Sequence, residues 1–271
     1  MAKGRRIRLV DALVSQGWCA TPEEARPWIM AGKVLVDEQL VDKVGAEIRE
    51  GQVIRVKGME CRYVSRGGLK LEGALAAFQV DVSGRVALDC GASTGGFTDC
   101  LLQHGCSLVY AVDVGIGQLA GTLRNSPQVR NLERTNLSDV QPEKLQPLPD
   151  LVTLDLSFLS LCKAIPLVEP LVAEPTDLIC LVKPLFETEN MEARRTGIFD
   201  SDDEYVRVLQ RICQTATQRG WAVAGVAPSP IRGSRGTVEF LLHLQKGYEF
   251  ASTVGPRDDC LEAVVARALH G

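Results

Sequence analysis

From residue 65 onward, short apolar segments alternate with stretches of helical periodicity, and this alternation restricts the fold more than any other feature of the chain. Strands are expected at 86–88, 108–112, 129–132, 151–154, 178–182, 221–227 and 238–244, with helices in the gaps between the first six. Strands joined by crossover helices run parallel, so the pattern predicts a doubly wound α/β sheet of seven strands. The last two strands are separated only by residues 228–236, too few for a crossover helix. Strand seven is therefore expected to run antiparallel to the others.

A smaller unit precedes this sheet. Residues 8–16 place Leu9, Ala12 and Leu13 on one helical face, and Thr21, Pro22 and Glu24 form a capping box with proline at the first helical position. That second helix runs through Ala25, Trp28 and Ile29, and extended pieces follow at 34–36 and 53–56. The expected division is a domain at 1–60, a linker at 61–64 and a larger domain at 65–271, consistent with a chain of 271 residues. Net charge is −4, yet residues 1–64 carry 11 Lys/Arg against 9 Asp/Glu, which leaves −6 for the rest. Lys3, Arg5, Arg6 and Arg8 form a basic run without an acid, a pattern that by itself marks only a solvated start of a chain. Nine scattered cysteines without a Cys-x-x-Cys spacing suggest neither disulfides nor zinc and fit a reducing cytoplasm. The sequence has no window of about 18 apolar residues to span a bilayer.

Strand one runs into Asp89-Cys90-Gly91-Ala92-Ser93-Thr94-Gly95-Gly96-Phe97, a glycine-rich turn entering a helix. Glycines let the backbone approach a ligand, and a helix N-terminus favours a carboxylate or phosphate. The Gly-x-x-x-Gly-Gly spacing departs from the Gly-x-Gly-x-x-Gly of dinucleotide-binding domains. Asp113 ends strand two, 22 residues after Gly91, where an acid can hold the ribose hydroxyls of an adenosine. Dinucleotide-binding domains usually have six parallel strands, whereas a reversed seventh strand is the usual build of S-adenosylmethionine-dependent methyltransferases. Asp155 closes strand four, Lys183 closes strand five and Glu239 opens strand seven, so all three are expected on one rim of the sheet. Lys70 lies in the helix before strand one. Periodicity does not place it on that rim, and on the residues alone it reads as a surface lysine.

These segments, together with Ser65-Arg66-Gly67-Gly68-Leu69-Lys70, Asp113-Val114-Gly115-Ile116-Gly117-Gln118-Leu119, Leu132-Glu133-Arg134-Thr135-Asn136, Asp155-Leu156-Ser157-Phe158 and Lys183-Pro184, resemble the TlyA family over nearly the whole chain. That family carries the label hemolysin A and comprises ribosomal RNA cytidine 2'-O-methyltransferases with an FtsJ-like catalytic domain. Its N-terminal part resembles the small alpha-L RNA-binding fold of ribosomal small-subunit protein four. The resemblance implies a catalytic tetrad of Lys70, Asp155, Lys183 and Glu239. S-adenosylmethionine would be held by Gly91, Ser93, Gly95, Gly96, Phe97 and Asp113, with Asn136 near the adenine. Ribosomal RNA within ribosomal subunits would be bound by Arg5, Arg6, Arg8, Lys33, Arg62, Tyr63 and Arg66. Two positions depart from the family pattern: the linker Arg-x-Trp-Val is Cys61-Arg62-Tyr63-Val64 here, and Leu185 follows Lys183-Pro184 where glutamine is common.

A ribose hydroxyl needs a base and an aligned methyl donor, and Lys183 is the candidate base. It must be neutral to act, which Lys70 would favour and which Asp155 and Glu239 would oppose. No metal is required. Because only five residues separate Val64 from Lys70, a linker movement is expected to reach the site. The competing readings are a catalytically dead RNA-binding assembly factor, a nicotinamide-dependent oxidoreductase and a membrane-lysing protein. A full tetrad speaks against the first, the glycine spacing against the second, and the lack of a span or basic amphipathic helix against the third.

Overall fold

The computed structural model describes residues 6–16, 18–19, 21–49, 52–58, 62–233, 236–249 and 258–270. The N-terminal unit runs β1 (Arg6–Arg8), α1 (Leu9–Ser15), α2 (Pro22–Met30), β2 (Val34–Val36), β3 (Gln39–Leu40), β4 (Glu47–Arg49) and β5 (Ile54–Val56). Thr21 Oγ1 accepts a hydrogen bond from the Glu24 amide at 3.2 Å and starts α2, as the capping box predicts. β1 pairs with β4, and β3, β2 and β5 form a second small sheet. Leu9, Leu13, Trp18, Ile29, Val34 and Ile54 close a core of their own between the helices and these strands.

The larger unit begins with α3 (Gly67–Phe78), β6 (Val86–Cys90), α4 (Gly96–Gln103), β7 (Leu108–Asp113), α5 (Gly121–Arg124) and β8 (Val129–Glu133). It continues through β9 (Leu151–Leu154), α6 (Leu161–Val168), β10 (Thr176–Val182), α7 (Pro184–Glu187), α8 (Met191–Thr196) and α9 (Asp202–Gln218). β11 (Ala222–Pro228), β12 (Phe240–Lys246) and α10 (Asp258–His270) complete it. Seven strands lie in the order β11-β12-β10-β9-β6-β7-β8. β12 is antiparallel to both its neighbours, while the contacts among β6 to β10 are parallel. The reversed seventh strand expected from the short 228–236 connection is present.

One expectation needs correction: no α-helix fills the gap between β8 and β9. Two single 3-10 turns, at Leu137–Asp139 and Pro142–Lys144, stand there instead. Pro142, Pro147 and Pro149 leave too few residues between prolines for a helix to propagate. The sheet still closes because a loop suffices to carry the chain from the outer strand β8 back across β7 and β6.

Helices cover both faces. Leu161, Ile165, Leu209, Ile212 and Trp221 pack on one side, and Leu71, Leu75, Phe97 and Leu101 on the other. α10 lies against α9 and β11, with Leu261, Val264 and Val265 buried and Leu269 packed against the same core. The apolar stripe of this C-terminal helix is thus used for packing. β6 sits between β9 and β7, so the chain switches direction across the sheet there, and the crevice beyond the carboxyl ends of β6 and β9 is where open α/β sheets bind ligands.

Candidate active site

A cleft of about 780 Å³ opens at that switch point. Gly91, Ala92 and Ser93 lie on its floor, with Gly96 and Phe97 at the first turn of α4 beside them. Gly91 has φ +86, and a β-carbon there would run into the main-chain carbonyl of Asp155. Only glycine lets the β6 and β9 loops come this close. Gly96 meets the start of α3 in the same way, with the Gly68 amide 2.9 Å from where its β-carbon would be. This close approach sets α3 over the turn and carries Lys70 into the cleft, which helical periodicity could not predict.

The register brings the charged residues together. Val182 pairs with Phe240, so Lys183 and Glu239 emerge side by side, and Asp155 follows Leu154, the partner of both Cys90 and Cys180. Lys183 Nζ is 2.6 Å from Asp155 Oδ1, and Lys70 Nζ is 2.5 Å from Glu239 Oε2. Lys183 Nζ also donates to Ser157 Oγ at 3.0 Å. All five residues line the cleft.

Burial disfavours the charges of Lys183, Asp155 and Glu239, but the cross-pairing outweighs it at the first two. Burial would lower Lys183, yet Asp155 and Glu239 raise its pKa above the ordinary lysine value. Burial would raise Asp155, yet Lys183 and Lys70 bring it below the usual aspartate value. At Glu239 burial prevails over Lys70 and Lys183, and its pKa is raised. Of the two opposing influences on Lys183, the carboxylates win, and the resting residue is a cation.

Beneath the turn, Asp89 is fully buried and accepts hydrogen bonds from Thr98 Oγ1 at 2.6 Å and Thr153 Oγ1 at 2.8 Å. Burial pushes its pKa up to about 6, against the pull of the two hydroxyls. Spacing along the chain does not single out this residue, although its place directly before the glycine-rich turn is a signal.

The other expected residues are distributed unevenly. Asp113 ends β7 and accepts from the Ser93 amide at 2.8 Å and the Gly115 amide at 2.7 Å, tying the turn to the following loop. Gly95 is packed under Leu119 and Leu123. Asn136 is exposed and caps the 3-10 turn at 137–139; neither it nor Asp113 lines the cleft.

Among the expected RNA contacts, Arg5 lies outside the described residues. Arg6, Arg8, Lys33 and Arg62 are exposed, Arg8 paired to Asp11, Lys33 over the Trp28 ring and Arg62 paired to Glu72. Arg66 lines the cleft. Tyr63 differs from expectation: its ring is 4% exposed, packed on the Gly68 backbone and stacked with His104, so it serves the core of the larger unit. The linker is fastened to α4, since the Val64 amide donates to Asp99 at 2.8 Å and Gln103 donates to the Arg62 carbonyl at 2.9 Å. Sequence reasoning missed further cleft residues: Ser15 and Gln16 at the end of α1, Phe158 and Phe186, and Arg194, Arg195 and Arg232.

The sheet order and the family comparison agree on the class. A model of the FtsJ-like methyltransferases matches residues 63–246 and a model of the S4 domain matches residues 7–54. The chain belongs to the TlyA family of these methyltransferases. It is 37% identical to the 16S/23S rRNA (cytidine-2'-O)-methyltransferase TlyA of Mycobacterium tuberculosis, covering 97% of this chain and 98% of that one. It is 42% identical to the rRNA methyltransferase YqxC of Bacillus subtilis, over 89% and 86% of the two chains. A solved structure described as a hemolysin of Streptococcus thermophilus superposes with a TM-score of 0.84 at 38% identity, covering 97% and 95%. Among the described residues, no helix is long and apolar enough to cross a membrane.

Proposed function

We propose that this methyltransferase transfers a methyl group from S-adenosylmethionine to the 2'-hydroxyl of cytidines in ribosomal RNA, within ribosomal subunits in the cytoplasm. The observation that carries the reading is the convergence of Lys70, Asp155, Lys183 and Glu239 beside the glycine-rich turn in one cleft. The site fits the cofactor on two grounds: the turn residues Gly91, Ala92 and Ser93 line the open cleft, and the first amides of α4 are donors without helical partners. Gly91, Ser93, Gly96 and Phe97 would hold it, with Gly95 shaping the turn. Asp113 keeps lone pairs free beyond its two amide contacts for ribose hydroxyls, and Asn136 would lie at the outer end of the adenosine. S-adenosylmethionine, when bound, supplies an electrophilic methyl on a sulfonium and leaves as a neutral thioether.

Lys183 must first shed its own proton to solvent, because its neighbours keep it cationic. The neutral amine then takes the 2'-hydroxyl proton while the O–H electron pair forms the new O–C bond. Asp155 keeps the amine in place and adds negative charge next to the methyl donor, and the Lys70–Glu239 pair positions the hydroxyl. Phe158 is 97% exposed at the mouth of the cleft, edge-on to Phe186 at 6.4 Å, and offers a face on which a base can stack. Arg66, Arg194, Arg195 and Arg232 on the rim supply positive charge for the RNA backbone, beside that of the residue 1–60 unit.

Methyl transfer to purified ribosomal subunits tests the reading. Lys183→Ala is expected to lower it by at least about a hundredfold with little change in cofactor affinity. Near-normal turnover of that variant would remove Lys183 from the mechanism.

A further inference from the structure

We infer that Gly233 is a positioning residue for this reaction: because it has no side chain, the connection from β11 to β12 closes over the Glu239 carboxylate and holds it on Lys70. The inference rests on the Lys70–Glu239 pair positioning the hydroxyl to be methylated. Gly233 is buried and lines the cleft beside Glu239. A β-carbon on it would stand 2.6 Å from Glu239 Cδ and would run into Oε1, while Lys70 Nζ donates to the other oxygen, Oε2. It would also stand 2.6 Å from Thr237 Oγ1.

The glycine backbone is fastened on all sides. Its amide donates to the Thr237 carbonyl at 2.9 Å and its carbonyl accepts from the Gly236 amide at 3.1 Å, which ties it to the chain just before Glu239. At the other end of the connection the Ser229 amide donates to the Glu239 carbonyl at 3.0 Å. Between these points Arg232 Nη2 donates to the Ala268 carbonyl of α10 at 2.7 Å. Pro230 is lodged against α3, where a β-carbon on Gly73 would be 2.7 Å from Pro230 Cγ. Gly73 lies three residues beyond Lys70, on the same face of that helix. One connection thus bears on both partners of the pair, through Gly73 on the helix of Lys70 and through Gly233 on Glu239.

Relief in a Gly233→Ala protein must therefore come from side chains and not from the main chain. Thr237 is half-buried and can turn toward solvent, whereas Glu239 is buried and moves only at the expense of its contact with Lys70. Bringing Glu239 Cδ from 2.6 Å out to the 3.4 Å of an ordinary contact is a shift of about 0.8 Å. A misplacement on the order of 1 Å at a reacting centre costs up to about a hundredfold in rate, while the displaced end of one side chain costs the fold little.

The test is a double-mutant cycle between Gly233→Ala and Glu239→Ala in the full chain, read by methyl transfer to ribosomal subunits and by thermal melting. Gly233→Ala should fold and lower kcat by about five- to tenfold, with KM for RNA and affinity for S-adenosylmethionine within about twofold of the wild type. In the Glu239→Ala background no carboxylate is left to displace. There the same substitution should change kcat by no more than about twofold, and the double variant should melt no lower than Glu239→Ala. Effects on kcat that multiply in the double variant would overturn the proposal, as would a wild-type kcat in Gly233→Ala or a double variant that does not fold where Glu239→Ala does. So would a loss confined to KM, which would make Gly233 part of RNA entry. Glu239→Ala by itself separates the two readings: normal turnover there removes the pair from the mechanism, whereas an impaired Glu239→Ala beside an unimpaired Gly233→Ala condemns only the role of Gly233.

Discussion

Strands β10 and β12 share a polar cluster at each end, and the two clusters they build have opposite characters. At the carboxyl end of β10, Lys183 and its neighbours sit in an open cleft with directions left over for a ligand. At the other end, Asp177 accepts from Arg85 Nη1 at 2.7 Å, His243 Nε2 at 2.7 Å, Gln245 Nε2 at 2.9 Å and Tyr248 Oη at 2.6 Å. Burial would raise the Asp177 pKa, but these donors hold it far below the usual aspartate value. Every lone pair there is spoken for, and no residue of this cluster lines the cleft. Burial and a shifted pKa are thus common to a functional cluster and a structural one. What separates them is saturation: the structural cluster consumes its donors and acceptors internally, and the functional one keeps some unused.

The sharpest way to break this comparison is at Asp177. Asp177→Ala removes the acceptor shared by Arg85, buried His243, Gln245 and Tyr248, leaving Arg85 only Asp150, and should cost about 3–5 kcal/mol of stability, read from denaturant midpoints, while turnover per folded molecule stays unchanged. A large loss of turnover in the folded variant would mean that the two ends are not independent.

Asp89 sharpens the contrast from another side, since it is a buried carboxylate held by hydroxyls and no cation. Its folded pKa, about 6, lies above the ordinary 3.8. The folded state therefore binds the proton more tightly, so stability from this group is full below about pH 4 and is lost as pH rises through about 6. Asp89→Asn removes that dependence. As pH rises from about 4 to 7 the variant should gain about 2–3 kcal/mol relative to the wild type, because a tenfold difference in proton affinity between the folded and unfolded chains is worth about 1.4 kcal/mol. Parallel stability curves would show that Asp89 stays ionised in the fold.

The smallest expected effect is at Glu239. Glu239→Gln keeps the shape and a hydrogen-bond acceptor for Lys70 but removes the charge. Methyl transfer should fall about tenfold, with a thermal midpoint shifted by no more than about 2 °C. A collapse of stability with unchanged turnover would put Glu239 in the same category as Asp177.

How much of this was legible without coordinates differs from residue to residue. The positions of the strands along the chain and the reversed seventh strand follow from periodicity and from the short 228–236 connection, because each is a local property of the chain. So does the convergence of Asp155, Lys183 and Glu239, since residues at strand ends share a rim once the strands are parallel. The helix expected between β8 and β9 was not legible, because its apolar residues pack while its prolines prevent the helix. Tyr63 reads equally well as an RNA contact or a core residue until Gly68 and His104 are found against it.

Sequence by itself determined the sheet, the glycine-rich turn and three of the four charged residues at the rim, because strand ends and turns are set by neighbours within a few positions along the chain. Only the tertiary structure decided that Lys70 meets Glu239 across 169 residues, that Ser157 joins Asp155 on Lys183, and that Asp177 is saturated while Asp155 is not. Those outcomes depend on how closely two backbones approach and on which donors and acceptors remain unpaired after packing. Neither quantity is carried by spacing along a chain.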